Sequence, residues 1–278
     1  MKKIIIYYFS GTGNTWWLSN ELKKQLDQKC HQTFCHSIET LTNDEVQTQL
    51  LNSDHIVIGF PVYGSTAPKL MLDFIKHLPD ARLGQSVSIF ATQAIASGDT
   101  AYFISKLLSK KGYHVLHTMH FIMMTNLHVP RFKFIRPKND ERVAKLHEKT
   151  LPKVQKLSDA IINNKKIITG KNLFGFLIGS MQRSLIYWVV AKASSDFEVD
   201  KSRCIKCNQC VKICPTKNIT FVNGFYEFNE NCMLCMRCYS HCPKHAILVG
   251  KASIDEVKYP RYKGPLPSFD VTVLTKRS

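Results

Sequence analysis

The chain has 278 residues, 38 Lys+Arg against 21 Asp+Glu, a formal net charge of +17, and ten cysteines. That length suits two domains. The basic residues are joined to no recognisable nucleic-acid module, so nucleic acid is not an expected partner. The spacing of eight cysteines makes them metal ligands, which implies a reducing compartment and no disulfides.

The chain opens with two lysines and an apolar run, residues 2–9. The run is too short for the core of a signal peptide and no cleavage site follows, so it reads as mature protein. Bounded by glycines, it reads instead as a buried parallel strand. Ser10-Gly11-Thr12-Gly13-Asn14-Thr15 follows at once. Its hydroxyls and backbone N–H groups would lie at a helix N-terminus, which is an anion site. The loop has no lysine, so it is not a Walker A loop. Trp16 stands where a dinucleotide fingerprint needs its third glycine. A loop of neutral donors suits a monophosphate.

Further strands are expected over residues 54–60, 85–91 and 114–120, with helices near 14–29, 67–78 and 100–111. Cys35 falls in an expected second strand and Cys30 at a helix end; both are expected to be buried free thiols. A helix over 140–164, with Pro152 a candidate kink, closes the region. Alternating strands and helices predict an α/β fold with a doubly wound parallel sheet. Ligands of such sheets bind beyond the carboxyl ends of the strands.

The loop Ser10-Gly11-Thr12-Gly13-Asn14-Thr15 resembles the FMN-phosphate loop of flavodoxins, and the resemblance covers roughly residues 1–165. It implies FMN as cofactor. It also implies that Pro61, Val62, Tyr63 and Gly64 lie along one face of the flavin, with Tyr63 the stacking candidate. Thr92, Gln93, Gly98 and Asp99 would approach the pyrimidine edge.

Residues 166–195 are expected to form a basic and apolar interdomain helix. Over residues 121–195 there are 14 Lys+Arg against 4 Asp+Glu. Gln182 and Arg183 split two apolar blocks, so no uninterrupted span of about 20 apolar residues is present. Gly175 and Gly179 form a GxxxG, a weak signal outside a true span. Three readings stay open: a helix packed between domains, an anchor on an anionic membrane surface, or a docking surface for an acidic redox partner. The expected location is cytoplasmic, with peripheral attachment to a membrane left open.

Cys204, Cys207, Cys210 and Cys214-Pro215 form one C-x2-C-x2-C-x3-C-P run; Cys232, Cys235, Cys238 and Cys242-Pro243 repeat it 28 residues later. This spacing serves two [4Fe–4S] clusters, with the fourth cysteine of each run ligating the other cluster. One cluster is therefore assigned to Cys204, Cys207, Cys210 and Cys242, and the other to Cys232, Cys235, Cys238 and Cys214. Asn223-Gly224 signals a type I′ hairpin between the runs. Residues 196–250 resemble a bacterial two-cluster ferredoxin, which implies a small α+β domain. Residues 251–278 lack periodicity and are expected to be an extended or disordered tail, able to lie back over the first domain.

The whole order resembles the flavodoxin–ferredoxin fusion proteins called EFR-type. The resemblance implies an iron–sulfur flavoprotein that carries electrons between two clusters and FMN, converting one-electron and two-electron steps. Whether it turns over a small acceptor stays open. A redox-responsive docking protein without turnover and a membrane-surface carrier serving a quinone are the alternatives.

Overall fold

The computed structural model describes residues 1–276 apart from Leu83, Ala96, Phe134 and Ile135. The first strand, β1 (Lys3–Tyr8), is followed by α1 (Asn14–Asp27), β2 (Gln32–Ser37), α2 (Asn43–Leu51) and β3 (His55–Pro61). Then come α3 (Lys69–His77), β4 (Ser86–Gln93), α4 (Thr100–Lys110), β5 (His114–Ile122), α5 (Asp140–Ile162), β6 (Ile167–Ile168) and α6 (Leu173–Ser194). The six strands form one sheet in the order β2-β1-β3-β4-β5-β6, and every pairing is parallel.

The isoleucines of β1 face both ways, as a strand covered on both faces requires. Ile5 and Tyr7 pack with Met71 and Ile75 of α3 and Ile104 of α4. Ile4 and Ile6 pack with Leu18 and Leu22 of α1 and Val154 and Leu157 of α5. Helix α5 runs through Pro152. Helix α2 was not expected from periodicity, but it carries a capping box: the Thr42 side chain accepts from the Glu45 N–H and the Glu45 carboxylate accepts from the Thr42 N–H at 2.7 Å. Strand β6 also lies beyond the expected end of the sheet, within the segment expected to be linker.

The second region holds β7 (Phe197–Val199), α7 (Gln209–Lys212), β8 (Ile219–Val222), β9 (Phe225–Phe228), α8 (Arg237–Ser240) and β10 (Ile247–Val249). Strands β7 and β10 pair antiparallel, and β8 and β9 form the hairpin. Asn223 and Gly224 at its tip have φ of 49° and 83°, the two positive values that a type I′ turn demands.

The tail is held by packing rather than disordered, and it lies back over the first domain. Tyr259, Tyr262, Val271 and Leu274 are buried, and Val271 and Leu274 pack with Tyr8 and Ile213. The Arg261 guanidinium donates to the carbonyls of His245 and Ile247, both at 2.9 Å. These anchors are irregularly spaced, which is why no period showed. Arg277 and Ser278 lie outside the described residues.

Candidate functional site

The two cysteine runs fold as two copies of one backbone. Lys206 and Leu234, Asn208 and Met236, and Lys217 and His245 all have positive φ, and each pair is 28 residues apart. Positive φ is costly for side chains such as lysine, leucine and methionine. It is tolerated where it wraps backbone N–H groups around an anion, the nest that many iron–sulfur sites use.

This wrapping brings cysteines from both runs together. Cys204, Cys207 and Cys210 line one small cavity with Cys242. Cys232, Cys235 and Cys238 line another with Cys214, walled by Phe197, Ile219, Phe228, Met233 and Met236. Burial pushes the Cys210 thiol up to about 11, with the neighbouring Cys242, Cys207 and Cys204 adding to the shift. Burial likewise pushes Cys235 up to about 12, partly opposed by the Arg237 guanidinium. Four such thiolates share a dry cavity only with cationic charge among them, and cluster iron supplies that charge. Among the described residues no group of three His, Cys, Asp or Glu side chains could hold a single metal ion.

A third and larger cavity, of about 440 Å³, opens at the carboxyl ends of β1, β3, β4 and β5. That volume falls in the roughly 300–1,000 Å³ range of small-molecule sites. Ser10, Gly11, Thr12, Asn14 and Thr15 line it from the first loop, Pro61, Val62, Tyr63 and Gly64 from the second, and Thr92 and Gln93 from the third. The Ser10 hydroxyl accepts from the Gly13 N–H at 3.1 Å, which shapes the loop. The Thr15 and Thr92 hydroxyls meet at 2.8 Å, tying the first loop to the third. Gly13 does not line the cavity. It caps α1 with φ 103°, and a Cβ there would strike Pro265 and Phe269 of the tail.

The loop walls suit a flavin phosphate: neutral hydroxyls at the N-terminus of a 14-residue helix. The Tyr63 Oη is buried with no hydrogen-bond partner, a donor left free beside the cavity. Burial raises the Tyr63 phenol well above its ordinary range, with the Cys235 thiol adding and Arg237 opposing.

A family description of the flavodoxin domain matches residues 5–150, and two descriptions of 4Fe-4S binding domains match residues 197–220 and 229–250. The chain belongs to the flavodoxin-domain family. It joins a flavodoxin domain to a two-cluster ferredoxin region, and its cofactors are FMN and two [4Fe–4S] clusters. An uncharacterized ferredoxin of Methanocaldococcus jannaschii is 36% identical over 56 residues, 18% of this chain and 73% of that protein. The uncharacterized ferredoxin-like protein YdhX of Escherichia coli is 29% identical over 84 residues, 24% of this chain; the chain spans only 37% of that relative. Among solved structures, the Megasphaera elsdenii flavodoxin is 23% identical, covering 42% of this chain and 84% of its own, with a TM-score of 0.37. A Streptococcus pneumoniae flavodoxin is 12% identical, covering 58% and 98%, with a TM-score of 0.43.

Two residues expected at the flavin edge are placed elsewhere. Gly98 and Asp99 are absent from the lining of the flavodoxin cavity and sit under α6 instead. A Cβ on Gly98 would lie 2.6 Å from the Gly175 carbonyl oxygen and 2.8 Å from the Gly179 nitrogen. The GxxxG of α6 is thus the small-residue stripe that lets the helix backbone rest on Gly98. The Asp99 carboxylate is taken by Arg183, Nη1 to Oδ1 at 2.5 Å. Loop composition looked the same for a flavin edge and for a helix dock, so the sequence could not separate them. The thiol expectation also needs correction. Cys30 is exposed, at a left-handed turn after α1, because the chain reverses there. Cys35 is half-buried, and burial pushes its thiol up to about 12.

Sequence reasoning missed four contributors. The loop after β5 adds Met123 to Leu127 to the flavodoxin cavity, and Asn126 Nδ2 donates to the Thr12 hydroxyl at 3.0 Å. Its signal was its place beyond a strand's carboxyl end. Helix α6 adds Gln182, Ile186, Val189 and Val190 as a wall. Met233 and Leu234 of the second cysteine run add another. The fourth is Arg237, 0% exposed, lying between Cys235 and Cys238. Its guanidinium donates to the carbonyls of Ser10 at 2.6 Å, Gly11 at 3.0 Å and Ile213 at 3.0 Å, and pairs with the Glu39 carboxylate at 2.7 and 2.9 Å. One buried cation therefore pins the phosphate loop to the ferredoxin region.

Proposed function

We propose that the chain moves single electrons between its second cluster site and its flavin site, and so converts between one-electron and two-electron partners. When bound, each cluster carries one electron and FMN carries one or two. Cys232, Cys235, Cys238 and Cys214 would ligate the cluster nearer the flavin, and Cys204, Cys207, Cys210 and Cys242 the farther one. Ser10, Gly11, Thr12, Asn14 and Thr15 would hold the FMN phosphate, with Gly13 turning the loop. Pro61, Val62, Tyr63, Gly64, Thr92 and Gln93 would flank the ring.

The observation that carries this reading is the shared wall. Met233 lines both the second cluster cavity and the flavodoxin cavity. Two residues on, the Cys235 carbonyl accepts from Asn126 at 3.4 Å, and a Cβ on Gly11 would lie 2.8 Å from it. A protein whose cofactors sensed redox state separately would need no such wall.

The first cluster site faces outward. Cys207 and Ile205 are exposed, with Lys201, Lys206, Lys212 and Lys244 exposed around them. An acidic redox protein is the partner that this rim suits, through steering and register more than through affinity. The test is cofactor content and flavin reduction in variants. Anaerobically reconstituted protein should hold one FMN and about eight irons. Cys235→Ser should keep the FMN, lose iron, and lose rapid reduction of flavin by a low-potential donor, whereas Cys30→Ser should change none of these. Rapid flavin reduction in Cys235→Ser after iron loss would refute the reading.

A further inference from the structure

Helix α6 has two faces with opposite fates. Its inner face is committed to protein. Ile186, Val189 and Val190 wall the flavin cavity, Gly175 and Gly179 rest on Gly98, and the Gln182 amide oxygen accepts from the Ser65 hydroxyl at 2.5 Å. Arg183, the one charge between Lys171 and Lys192, is turned to this side and neutralised by Asp99.

The outer face is apolar and bare. Phe174 is 74% exposed, Leu177 58%, Met181 59% and Trp188 63%, with Leu173 and Leu185 completing the stripe. These positions recur every three or four residues, so they share one face of a 22-residue helix that bends by 43° between Ile186 and Trp188. At about 1.5 Å per residue the straight part before the bend is roughly 21 Å long. Monomeric soluble proteins rarely leave so long an apolar stripe to water.

The edges of the stripe are basic. Lys171 stands at its start and Lys192 at its end, with the Lys192 ammonium 4.8 Å from the Trp188 ring. On the α4 side the Lys106 ammonium is 6.0 Å from the Phe176 ring. Exposed Lys165 and Lys166 precede the helix. The surrounding segment carries the 14-to-4 basic excess of the chain.

We infer that the outer face of α6 docks on an anionic lipid bilayer, lying in its surface with the apolar stripe among the acyl chains and the lysines among the headgroups. Aromatic and aliphatic side chains beside a lysine-rich border are the composition of an interfacial anchor. No single described helix is long and apolar enough to cross a membrane, though the two halves of α6, Leu173–Ile186 and Trp188–Ser194, pass that test together as a bent pair. A crossing would also strip away the contacts of the inner face, including the Arg183–Asp99 pair, which favours lying flat. Docking in this pose sets a wall of the flavin cavity beside the lipid. The inference stands on α6 alone and is independent of electron transfer between the cofactors.

The test is flotation of the full, cofactor-loaded chain with two vesicle types: phosphatidylcholine alone, and phosphatidylcholine with about one quarter phosphatidylglycerol. The chain should float with the anionic vesicles, more weakly at high salt, and Trp188 fluorescence should shift to the blue on binding. Leu177→Asn with Trp188→Asn should retain FMN and iron and bind these vesicles at least about tenfold more weakly, since two exposed apolar anchors are lost. Absence of flotation with anionic vesicles would overturn the inference. So would equal flotation of the double variant. A wild-type dimer in sedimentation that the double variant dissociates would assign the face to a second copy and equally overturn it.

Discussion

Arg237 decides how the phosphate loop and the cluster run stay together. Its charge is fully buried, and Glu39 with three carbonyls satisfies it. Removing one member of a buried ion pair costs about 3–5 kcal/mol, because the other is left uncompensated. Arg237→Met should therefore lower unfolding stability by about that amount, and Arg237→Met with Glu39→Leu should recover much of it, as denaturant titration would read. Equal losses in both variants would show that the carbonyl contacts dominate. Tyr63 offers a finer probe. Its buried hydroxyl has no partner, so Tyr63→Phe should leave the FMN-free protein as stable or slightly more stable. If Oη donates to the flavin, FMN affinity should fall about threefold to tenfold, the value of one neutral hydrogen bond. Calorimetry of FMN binding separates the two effects. The loop hydroxyls were legible in the sequence because their chemistry is local. Arg237 was not, because its partners are about 200 residues away and only the fold brings them within reach.

At the scale of elements, the parallel strands and their helices were readable because both faces of the sheet are buried and the apolar runs are continuous. Helix α2 escaped because it buries only Val46 and Leu50, too few to set a period. The fate of α6 was divided among three readings because its apolar residues run all round the helix, so nothing in the pattern told inner from outer face. Gly98 and Asp99 go with it, since the loop that holds them docks α6. The sheet also carries a buried polar chain. His55 Nδ1 meets the Ser86 hydroxyl at 2.7 Å and Nε2 meets Ser88 at 2.6 Å; Ser88 in turn meets His117 Nδ1 at 2.6 Å. Burial lowers the His55 imidazole to about 3, with His117 and Lys2 adding to the shift, and burial also lowers His117. A depressed histidine stays neutral in the fold while the unfolded chain takes up a proton. Its contribution is therefore present above about pH 6.5 and is lost as pH falls toward 3. The loss from His55 should be on the order of 3–5 kcal/mol over that window. Stability measured from pH 7 to pH 4 should fall less steeply in His55→Asn than in the parent chain. Parallel slopes would mean that His55 is charged in the fold.

The whole molecule is three segments closing on one cavity: sheet loops, the α6 wall and the second cysteine run. The tail locks the arrangement, with the Tyr262 hydroxyl donating to Asn14 Oδ1 at 2.5 Å and Phe269 set against Gly13. The cysteine spacing showed which chemistry the chain carries, but not that its two cofactor regions share a wall, since that wall belongs to neither motif alone. In the proposed function electrons cross this wall within one chain. Covalent linkage puts the two sites at an effective concentration of about the millimolar range or above. Anaerobic rapid mixing with a low-potential donor, read by flavin absorbance at several protein concentrations, tests the claim directly. Flavin reduction should follow cluster reduction at a rate independent of protein concentration. A rate that rises in proportion to protein concentration would place the transfer between chains and contradict the account.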